Sequence, residues 1–251
     1  MPGPPLRDGA SNNLSPRSPR RSWLRWLGWL SLAGLGICII VAWWAISAAQ
    51  AVPEFYAEAI AATENPAELK PAADEFEREV LNVQNDLRKS EAWELRVHEE
   101  EINAWLAVAL KKELPHALPR EFSNPRISIR EKSIFLAAKY TGPVESVVSV
   151  QIEPQLTEAR NEIACRLKGV RLGQLPIARK QLLDQISAGA MNARLPLRWI
   201  EEDGEPVALL TIPRRTEQFA GREIEVITLS VDAGEIVVGG TSLKVENEKT
   251  K

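Results

Sequence analysis

The side chains that most often perform acid–base, nucleophilic or metal chemistry are scarce in this chain of 251 residues. Two histidines and two cysteines are present, which argues against a Cys/His zinc cluster and a disulfide framework. The richest local group is the run His98-Glu99-Glu100-Glu101, which offers an imidazole and three carboxylates. Adjacent residues of a helix point in different directions, so these side chains do not converge on one ion or substrate. We interpret the run as the solvated start of a helix.

Nucleophilic catalysis has no clear candidate in the sequence. Cys165 alternates with Ile163 and Leu167 in a predicted strand, which indicates a buried small side chain rather than a reactive thiol. The motifs Gly-x-Ser-x-Gly, His-Glu-x-x-His and Gly-x-x-x-x-Gly-Lys do not occur. We therefore predict a protein that is not an enzyme and that holds no metal ion or cofactor.

The densest group of basic residues surrounds the loop 169–176. It consists of Arg166, Lys168, Arg171, Arg179 and Lys180. One hypothesis makes this loop the mouth of a lipid site, with cations for lipid phosphates. The mouth candidates are then Arg171, Leu172, Gly173 and Leu175. The other hypothesis, which we prefer, makes the loop a strand-to-helix connection whose leucines pack on the core.

Charge is distributed unevenly along the chain, although the formal net charge is only −3. Residues 1–25 contain five arginines and one aspartate, a net charge of +4, which leaves −7 for the remaining residues. Beyond the first segment, basic residues are dispersed among more numerous acids, so we predict no nucleic-acid partner. Residues 26–53 carry no charged side chain at all.

This uncharged segment has the length and composition of a membrane span. Its core, WLGWLSLAGLGICIIVAWWAISAA, contains 24 residues, and about 20 are enough to cross the hydrocarbon of a bilayer. Because the arginines precede the span, the positive-inside rule places the N-terminus in the cytoplasm and residues 54–251 outside. Ala49-Gln50-Ala51 also has the form of a signal-peptide cleavage site, so cleavage after Ala49 or Ala51 is an alternative, although the length favours an uncleaved anchor.

We divide the chain into five segments. They are a disordered basic tail (1–25), a transmembrane helix (26–50), a helical stalk (51–90), an extracytoplasmic α+β domain (91–245) and a short tail (246–251). Apolar residues of the stalk recur at alternating spacings of four and three, as in a heptad seam: Leu69, Ala73, Phe76, Val80, Val83 and Leu87. The seam Leu69–Leu87 could form a parallel homodimer, or it could pack the helix against its own domain, which its short length favours.

Hydrophobic periodicity in the domain predicts one strand, a helix, four strands, a second helix and four more strands. The helices are predicted at 99–114 and 176–190, and the strands at 93–97, 126–130, 134–140, 144–152, 162–168, 197–200, 207–212, 224–231 and 235–238. Pro154 is expected to close the strand 144–152, and Pro176 to begin the second helix. Short connections imply antiparallel neighbours, so the predicted fold class is α+β.

Two short runs resemble a pattern found in bacterial envelope proteins. In Trp93–Leu106 (WELRVHEEEINAWL) a strand turns directly into a helix, and Ile227–Val238 (ITLSVDAGEIVV) is similar to the way such chains end. Over roughly residues 92–240 the chain resembles membrane-anchored or lipid-anchored proteins of the YpmS and YceB type, although His98 stands where these often have a Thr or Ser cap. The resemblance implies a tubular lipid-binding (TULIP-like) domain, in which a curved antiparallel sheet wraps around one or two helices and an apolar groove. It carries over no catalytic residues.

Such a groove would be lined by the apolar faces of the two predicted helices. Its candidates are Ile102, Trp105, Leu106, Leu110, Leu182, Leu183 and Ile186. The same faces could instead be plain core, which is the commoner role of residues at helical spacing. The first functional hypothesis is a membrane-anchored envelope protein that binds membrane lipid. The alternative is an envelope scaffold that engages protein partners through its stalk and sheet edges, with no ligand.

Overall fold

The computed structural model describes residues 37–89, 91–115, 118–142, 145–176, 183–184, 186–187, 191, 196–214 and 221–244. The chain divides into two compact units, Met1–Trp44 and Ala45–Lys251. In the first unit, the described residues 37–44 are helical and their side chains are exposed. All the strands of the described chain lie in the second unit.

Helix α1 (residues 37–50) is the described part of the apolar helix that the sequence predicts near the N-terminus. Counted across a break at residues 51–53, the helical stretch Ile37–Ala62 contains 26 residues. Its most apolar 18-residue window has a mean hydropathy of 1.5, and 11% of the residues of that window are buried. Among the described residues it is the one helical stretch long and apolar enough to cross a membrane. On its length and composition, therefore, it could span a bilayer.

Four further helices are complete within the described residues. They are α2 Glu54–Ala62, α3 Pro66–Lys89, α4 Glu99–Val108 and α5 Leu110–Glu113. The single helix predicted over 99–114 is therefore divided in two at Ala109. The side chain of Glu101 accepts a hydrogen bond from the His98 N–H at 3.0 Å, which is one half of a capping box. The run 98–101 is a helix start, as predicted.

Ten strands in the described chain pair antiparallel throughout. They are β1 Ala92–His98, β2 Phe122–Arg130, β3 Ser133–Thr141, β4 Glu145–Leu156, β5 Glu162–Leu172, β6 Leu175–Pro176, β7 Leu197–Glu202, β8 Glu205–Thr211, β9 Arg222–Asp232 and β10 Glu235–Lys244. One sheet has the order β1-β10-β9; the seven-stranded sheet has the order β2-β3-β4-β5-β8-β7, with β6 beside β5. The predicted α+β class and antiparallel pairing are confirmed. The described strands form two open sheets, however, rather than the single curved sheet that was expected.

Two predictions about prolines are wrong. Pro154 does not close a strand, because β4 continues past it and Pro154 pairs with Cys165 of β5. On the other side of β4, pairing with β3 ends at Ile152, so no neighbouring strand there needs the N–H that proline lacks. Pro176 does not begin a helix but lies in β6, which pairs with β5 after a turn at Gly173. The fixed φ of proline suits such a short strand as well as a first helical turn.

Helical residues lie against both faces of the seven-stranded sheet. Of the predicted helix 176–190, residues 183–184 and 186–187 are described as helical, whereas Leu182 lies outside the described residues. Two of these residues, Leu183 and Ile186, pack in a cluster on one face of the sheet, together with Val150, Leu167, Val170 and Trp199. On the other face α2 packs through a second cluster: Tyr56, Ala137 and Val147. Wrapping of the sheet around a helix therefore stays a prediction.

Helix α3 packs against its own domain through the predicted heptad seam. Val83 and Leu87 are buried in a cluster with Trp93 of β1. Nearer the helix start, the ring of Phe76 lies 5.5 Å from the ring of Trp105 in α4. The seam that a homodimer would use is thus occupied within one chain, and dimerisation through it stays a prediction.

Two buried asparagines form hydrogen bonds to the backbone of an edge strand, one in each sheet. Asn103 of α4 donates a hydrogen bond to the Ile127 carbonyl and accepts one from the Ile127 N–H, both at 2.9 Å. Asn161 donates to the Ile224 carbonyl at 2.7 Å and accepts from the Val226 N–H at 2.9 Å. Because β2 and β9 are edge strands, these amides satisfy backbone groups that no neighbouring strand would pair. The first pair also fixes α4 on the sheet.

Candidate functional site

Two of the cavities in the described part of the second unit differ in the kinds of side chain that line them. One encloses about 440 Å³, and we call it the cationic cavity after three of its lining residues: Arg130, Lys168 and Arg171. The other encloses about 380 Å³, and we call it the apolar cavity after five of its lining residues: Leu106, Leu110, Leu114, Leu118 and Phe122. Both volumes lie within the usual range of ligand pockets, about 300–1,000 Å³.

The cationic cavity lies on the face of the seven-stranded sheet that α2 covers. Phe135 pairs with Gln151, and Gln151 pairs with Gly169, so these residues form one row across β3, β4 and β5. Ser149 and Arg171 form the next row on the same face, because side chains alternate between faces along a strand. The register of the sheet thus brings an aromatic ring, an amide, a hydroxyl and a guanidinium to one surface.

A bulge in β5 leaves room in this surface. Gln151 pairs with Gly169 and Ile152 with Leu167, so Lys168 is an extra residue in the strand. A Cβ atom added at Gly169 would meet no atom within 4 Å. The glycine therefore leaves open space where other residues of the row carry side chains.

The link between α1 and α2 forms another part of the wall. Residues 52–55 line the cavity, and the ring of Phe55 lies 5.7 Å from that of Phe135. The turn between β5 and β6 is held against the end of α1, because the Gln174 N–H donates to the Ala48 carbonyl at 2.9 Å. The cavity therefore lies beside the carboxyl end of the apolar helix.

Gly173 makes this close approach possible. Its φ is +59°, and a Cβ atom there would lie 2.4 Å from the carbonyl oxygens of both Ala48 and Ala49. The left-handed backbone and the lack of space both require glycine. The conformation of the turn between β5 and β6 thus depends on Gly173, and so does the position of this part of the cavity wall.

The cations of the cavity differ in how far they are neutralised. Lys168 Nζ lies 3.0 Å from a carboxylate oxygen of Glu205 and 3.7 Å from one of Glu153, and the hydrogen bond to Glu205 raises the pKa of Lys168. Arg130 lies 5.2 Å from the centre of the Phe135 ring. In contrast to Lys168, Arg130 and Arg171 form no ion pair with any residue that the structure describes.

A buried hydroxyl group also lies in this wall. Ser149 is 8% exposed, and its side chain makes no hydrogen bond to another residue of the described ranges. The neighbouring Gln151 donates to the Ser133 hydroxyl at 3.3 Å, so the two polar side chains of β4 differ in their bonding. Most buried polar groups have a hydrogen-bond partner. Because the Ser149 hydroxyl has none among the described residues, it is available to a ligand.

The apolar cavity lies between helical residues and the start of β2. Leu106 belongs to α4, Leu110 to α5, and Phe122 to β2, and all three line it. Leu114 is 52% exposed, so this wall presents apolar surface to solvent. Two basic residues, Lys111 and Arg120, belong to the same lining. The arrangement suits an apolar ligand with an anionic end.

Helix α2 contacts the walls of both cavities. Phe55 lines the cationic cavity, and the next residue, Tyr56, donates a hydrogen bond to the Asn124 carbonyl at 3.0 Å. Asn124 lines the apolar cavity and has a φ of +49°, an uncommon value for a residue other than glycine. A shift of α2 would therefore affect both walls.

Among the described residues, the structure does not bring the predicted groove candidates together in one groove, and Leu182 lies outside the described residues. Leu106 and Leu110 line the apolar cavity, whereas Ile102 packs on a core cluster between β2 and β9. Trp105 packs its ring against Phe76 in a tilted arrangement and donates to the Glu77 carboxylate at 3.1 Å. Leu183 and Ile186 pack on the far face of the seven-stranded sheet. The two predicted helices thus contribute to different parts of the domain.

The predicted mouth residues are also divided. Arg171 and Gly173 line the cationic cavity, while Leu172 and Leu175 pair with each other between β5 and β6. The leucines at 114 and 118 were not predicted as site residues, although they continue the four-residue spacing of Leu106 and Leu110. Arg130 and Ser149 were not predicted either, because only the sheet register places them beside Arg171.

Other reactive groups in the described chain give no second site. Burial raises the pKa of the Cys165 thiol, which disfavours the nucleophilic thiolate. Among the described residues, no group of three or more His, Cys, Asp or Glu side chains is placed to hold a metal ion. No family model, curated protein or solved structure matches the chain significantly.

Proposed function

We propose that this protein is a non-enzymatic, membrane-anchored protein that binds lipid outside the cytoplasmic membrane and holds an acyl chain in the apolar cavity. One observation carries the proposal: a cavity of about 380 Å³ is lined by large apolar side chains from α4, α5, the following loop and β2. Each methylene group that leaves water for such a site contributes about 0.8 kcal/mol. A ligand of several methylene groups would therefore be held firmly.

The surroundings of the cavity support an amphiphilic ligand. Leu114 leaves half of its surface exposed, and an acyl chain would cover it. Lys111 and Arg120 also line the cavity, and either cation could bind a carboxylate or a phosphate at the end of the chain.

The apolar helix α1 supplies the membrane location. The arginines that precede it favour a cytoplasmic N-terminus, so the domain would lie outside. The resemblance to YpmS-type and YceB-type proteins agrees with this location and with a lipid ligand. The scaffold alternative has less support, because the seam of α3 that it would use is packed within the chain.

The test is native mass spectrometry of the full chain, purified in a neutral detergent and searched for co-purified lipid. Leu110→Trp fills the cavity, and we expect it to carry less lipid than the wild type. Leu81→Trp is the matched control, because Leu81 is 56% exposed on α3 and lies outside the cavity lining. A second variant, Leu114→Glu, adds a carboxylate to an exposed position of the wall and should also lower the lipid content.

The proposal fails if the wild type carries no lipid, or if both cavity variants retain as much lipid as Leu81→Trp. Thermal unfolding of each variant checks that loss of lipid is not loss of fold.

A further inference from the structure

We infer that the cationic cavity is a second binding site, which takes the phosphate group of an anionic phospholipid at the membrane surface. The inference rests on the proposed membrane anchoring, but it does not require an acyl chain in the apolar cavity. Three features carry it: two arginines without carboxylate partners, a buried hydroxyl group and the position of the cavity beside the end of α1.

The two arginines offer the fork of N–H donors that matches a phosphate group. Neither Arg130 nor Arg171 forms an ion pair within the described parts of the chain. The Phe135 ring holds the Arg130 guanidinium from one side, at 5.2 Å, and leaves its N–H groups at the edge free to donate. Glu54 is the acidic residue of the lining, so the two arginines outweigh it even without Lys168.

The Ser149 hydroxyl adds a neutral donor to this set. It is buried, it has no hydrogen-bond partner among the residues described, and it lies in the row of Arg171. A phosphate oxygen would satisfy the hydroxyl and accept from the guanidinium at the same time. The combination of one buried donor and two exposed cations is typical of sites for anions with several oxygens.

The position of the cavity favours a lipid over a free ion. Residues 52 and 53 line it and belong to the break that directly follows α1. The turn at Gly173 and Gln174 is hydrogen-bonded to the last turn of that helix. The phosphates of a bilayer lie where the hydrocarbon ends, which is also where a membrane span ends. A phospholipid beside α1 would therefore present its phosphate at this level.

The test measures phosphatidylglycerol binding to the full chain in neutral detergent by native mass spectrometry. We expect the double variant Arg130→Gln/Arg171→Gln to bind about tenfold more weakly or worse, because charge-assisted hydrogen bonds are lost. The matched control is Arg160→Gln/Arg198→Gln. It removes the same charge from two exposed arginines that pair with Glu225 and Glu162 outside the cavity.

A second variant tests the space rather than the charge. Gly169→Leu places a side chain where a Cβ atom meets no neighbour within 4 Å, so it should fold and still exclude the phosphate group. Equal weakening in the control double variant would overturn the site. So would unchanged binding in both the arginine variant and Gly169→Leu.

Titration with inorganic phosphate distinguishes the two sources of the phosphate group. The lipid assignment stands if phosphatidylglycerol binding depends on the arginines. It is overturned if the binding of inorganic phosphate depends on the two arginines and the binding of phosphatidylglycerol does not.

Leu110→Trp separates this inference from the proposed function. Loss of phosphatidylglycerol in Leu110→Trp but not in the arginine variant would overturn the inference alone. Loss in the arginine variant but not in Leu110→Trp would support the inference and count against the proposed function.

Discussion

The two cavities of the domain are built in different ways. The apolar cavity uses one continuous stretch of chain, since all its lining residues lie between 106 and 125. The cationic cavity collects residues from 52 to 174, which four strands and the link between α1 and α2 bring together. The first therefore depends on local helix and loop structure, and the second depends on the register of a sheet. This difference predicts which substitutions should affect one cavity and spare the other.

Gly173→Ala should have the largest effect and should act on the cationic cavity. A left-handed φ costs a residue with a Cβ atom about 1–2 kcal/mol, and the contact with the carbonyls of Ala48 and Ala49 adds a packing cost of about 1–3 kcal/mol. We expect the free energy of unfolding to fall by about 3 kcal/mol, measured by denaturant unfolding of the full chain.

The control for this substitution is Gly204→Ala. Gly204 also has a positive φ, +75°, but a Cβ atom there would meet nothing within 4 Å. It should therefore lose only the backbone part of the stability. Equal losses in the two variants would show that the turn of β5 and β6 is not held tightly against the end of α1.

Asn103→Ala should have the next largest effect and should act on the apolar cavity. The substitution leaves the Ile127 N–H and carbonyl without partners on a buried edge, which costs about 2 kcal/mol. It also releases α4, which carries Leu106, so lipid in the apolar cavity should be lost as well. Denaturant unfolding and native mass spectrometry measure the two effects.

Asn161→Ala is the matched variant for Asn103→Ala. Asn161 makes the same two kinds of hydrogen bond, but on β9, away from the lining of either cavity. We expect a loss of stability at least as large, because Asn161 also has a φ of +58°, which alanine adopts less readily, and no loss of lipid. If both variants lose lipid equally, the apolar cavity depends on the stability of the whole domain rather than on the position of α4.

The sequence predicted the apolar cavity better than the cationic cavity, because the apolar cavity is built from one continuous stretch of chain. Alternation and helical spacing located the strands and α4, and the leucines at 106 and 110 were identified as site candidates. These signals are local, and so is the apolar cavity. The continuation of the leucine spacing to 114 and 118 was available in the sequence, but the prolines there indicated only a loop.

The cationic cavity could not be predicted in this way. Arg130 and Arg171 are brought to one surface only by the pairing of β2 with β3, β3 with β4, and β4 with β5. Neither residue stands in a motif, and the bulge at Lys168 changes which side chains share a face. The errors at Pro154 and Pro176 have a related cause, because a proline is tolerated wherever the neighbouring strand needs no N–H.

Tyr56→Phe should have the smallest effect, and it tests whether α2 couples the two cavities. The substitution removes the hydrogen bond to the Asn124 carbonyl, which should lower the free energy of unfolding by about 0.5–1 kcal/mol. Tyr140→Phe is the control. The ring of Tyr140 packs against that of Phe122 with centroids 5.4 Å apart, and its hydroxyl has no hydrogen-bond partner in the described chain. If α2 couples the cavities, Tyr56→Phe should weaken phosphatidylglycerol binding at the cationic cavity and lower the lipid content of the apolar cavity together. An effect on one cavity alone would show that α2 serves as a wall and not as a connection.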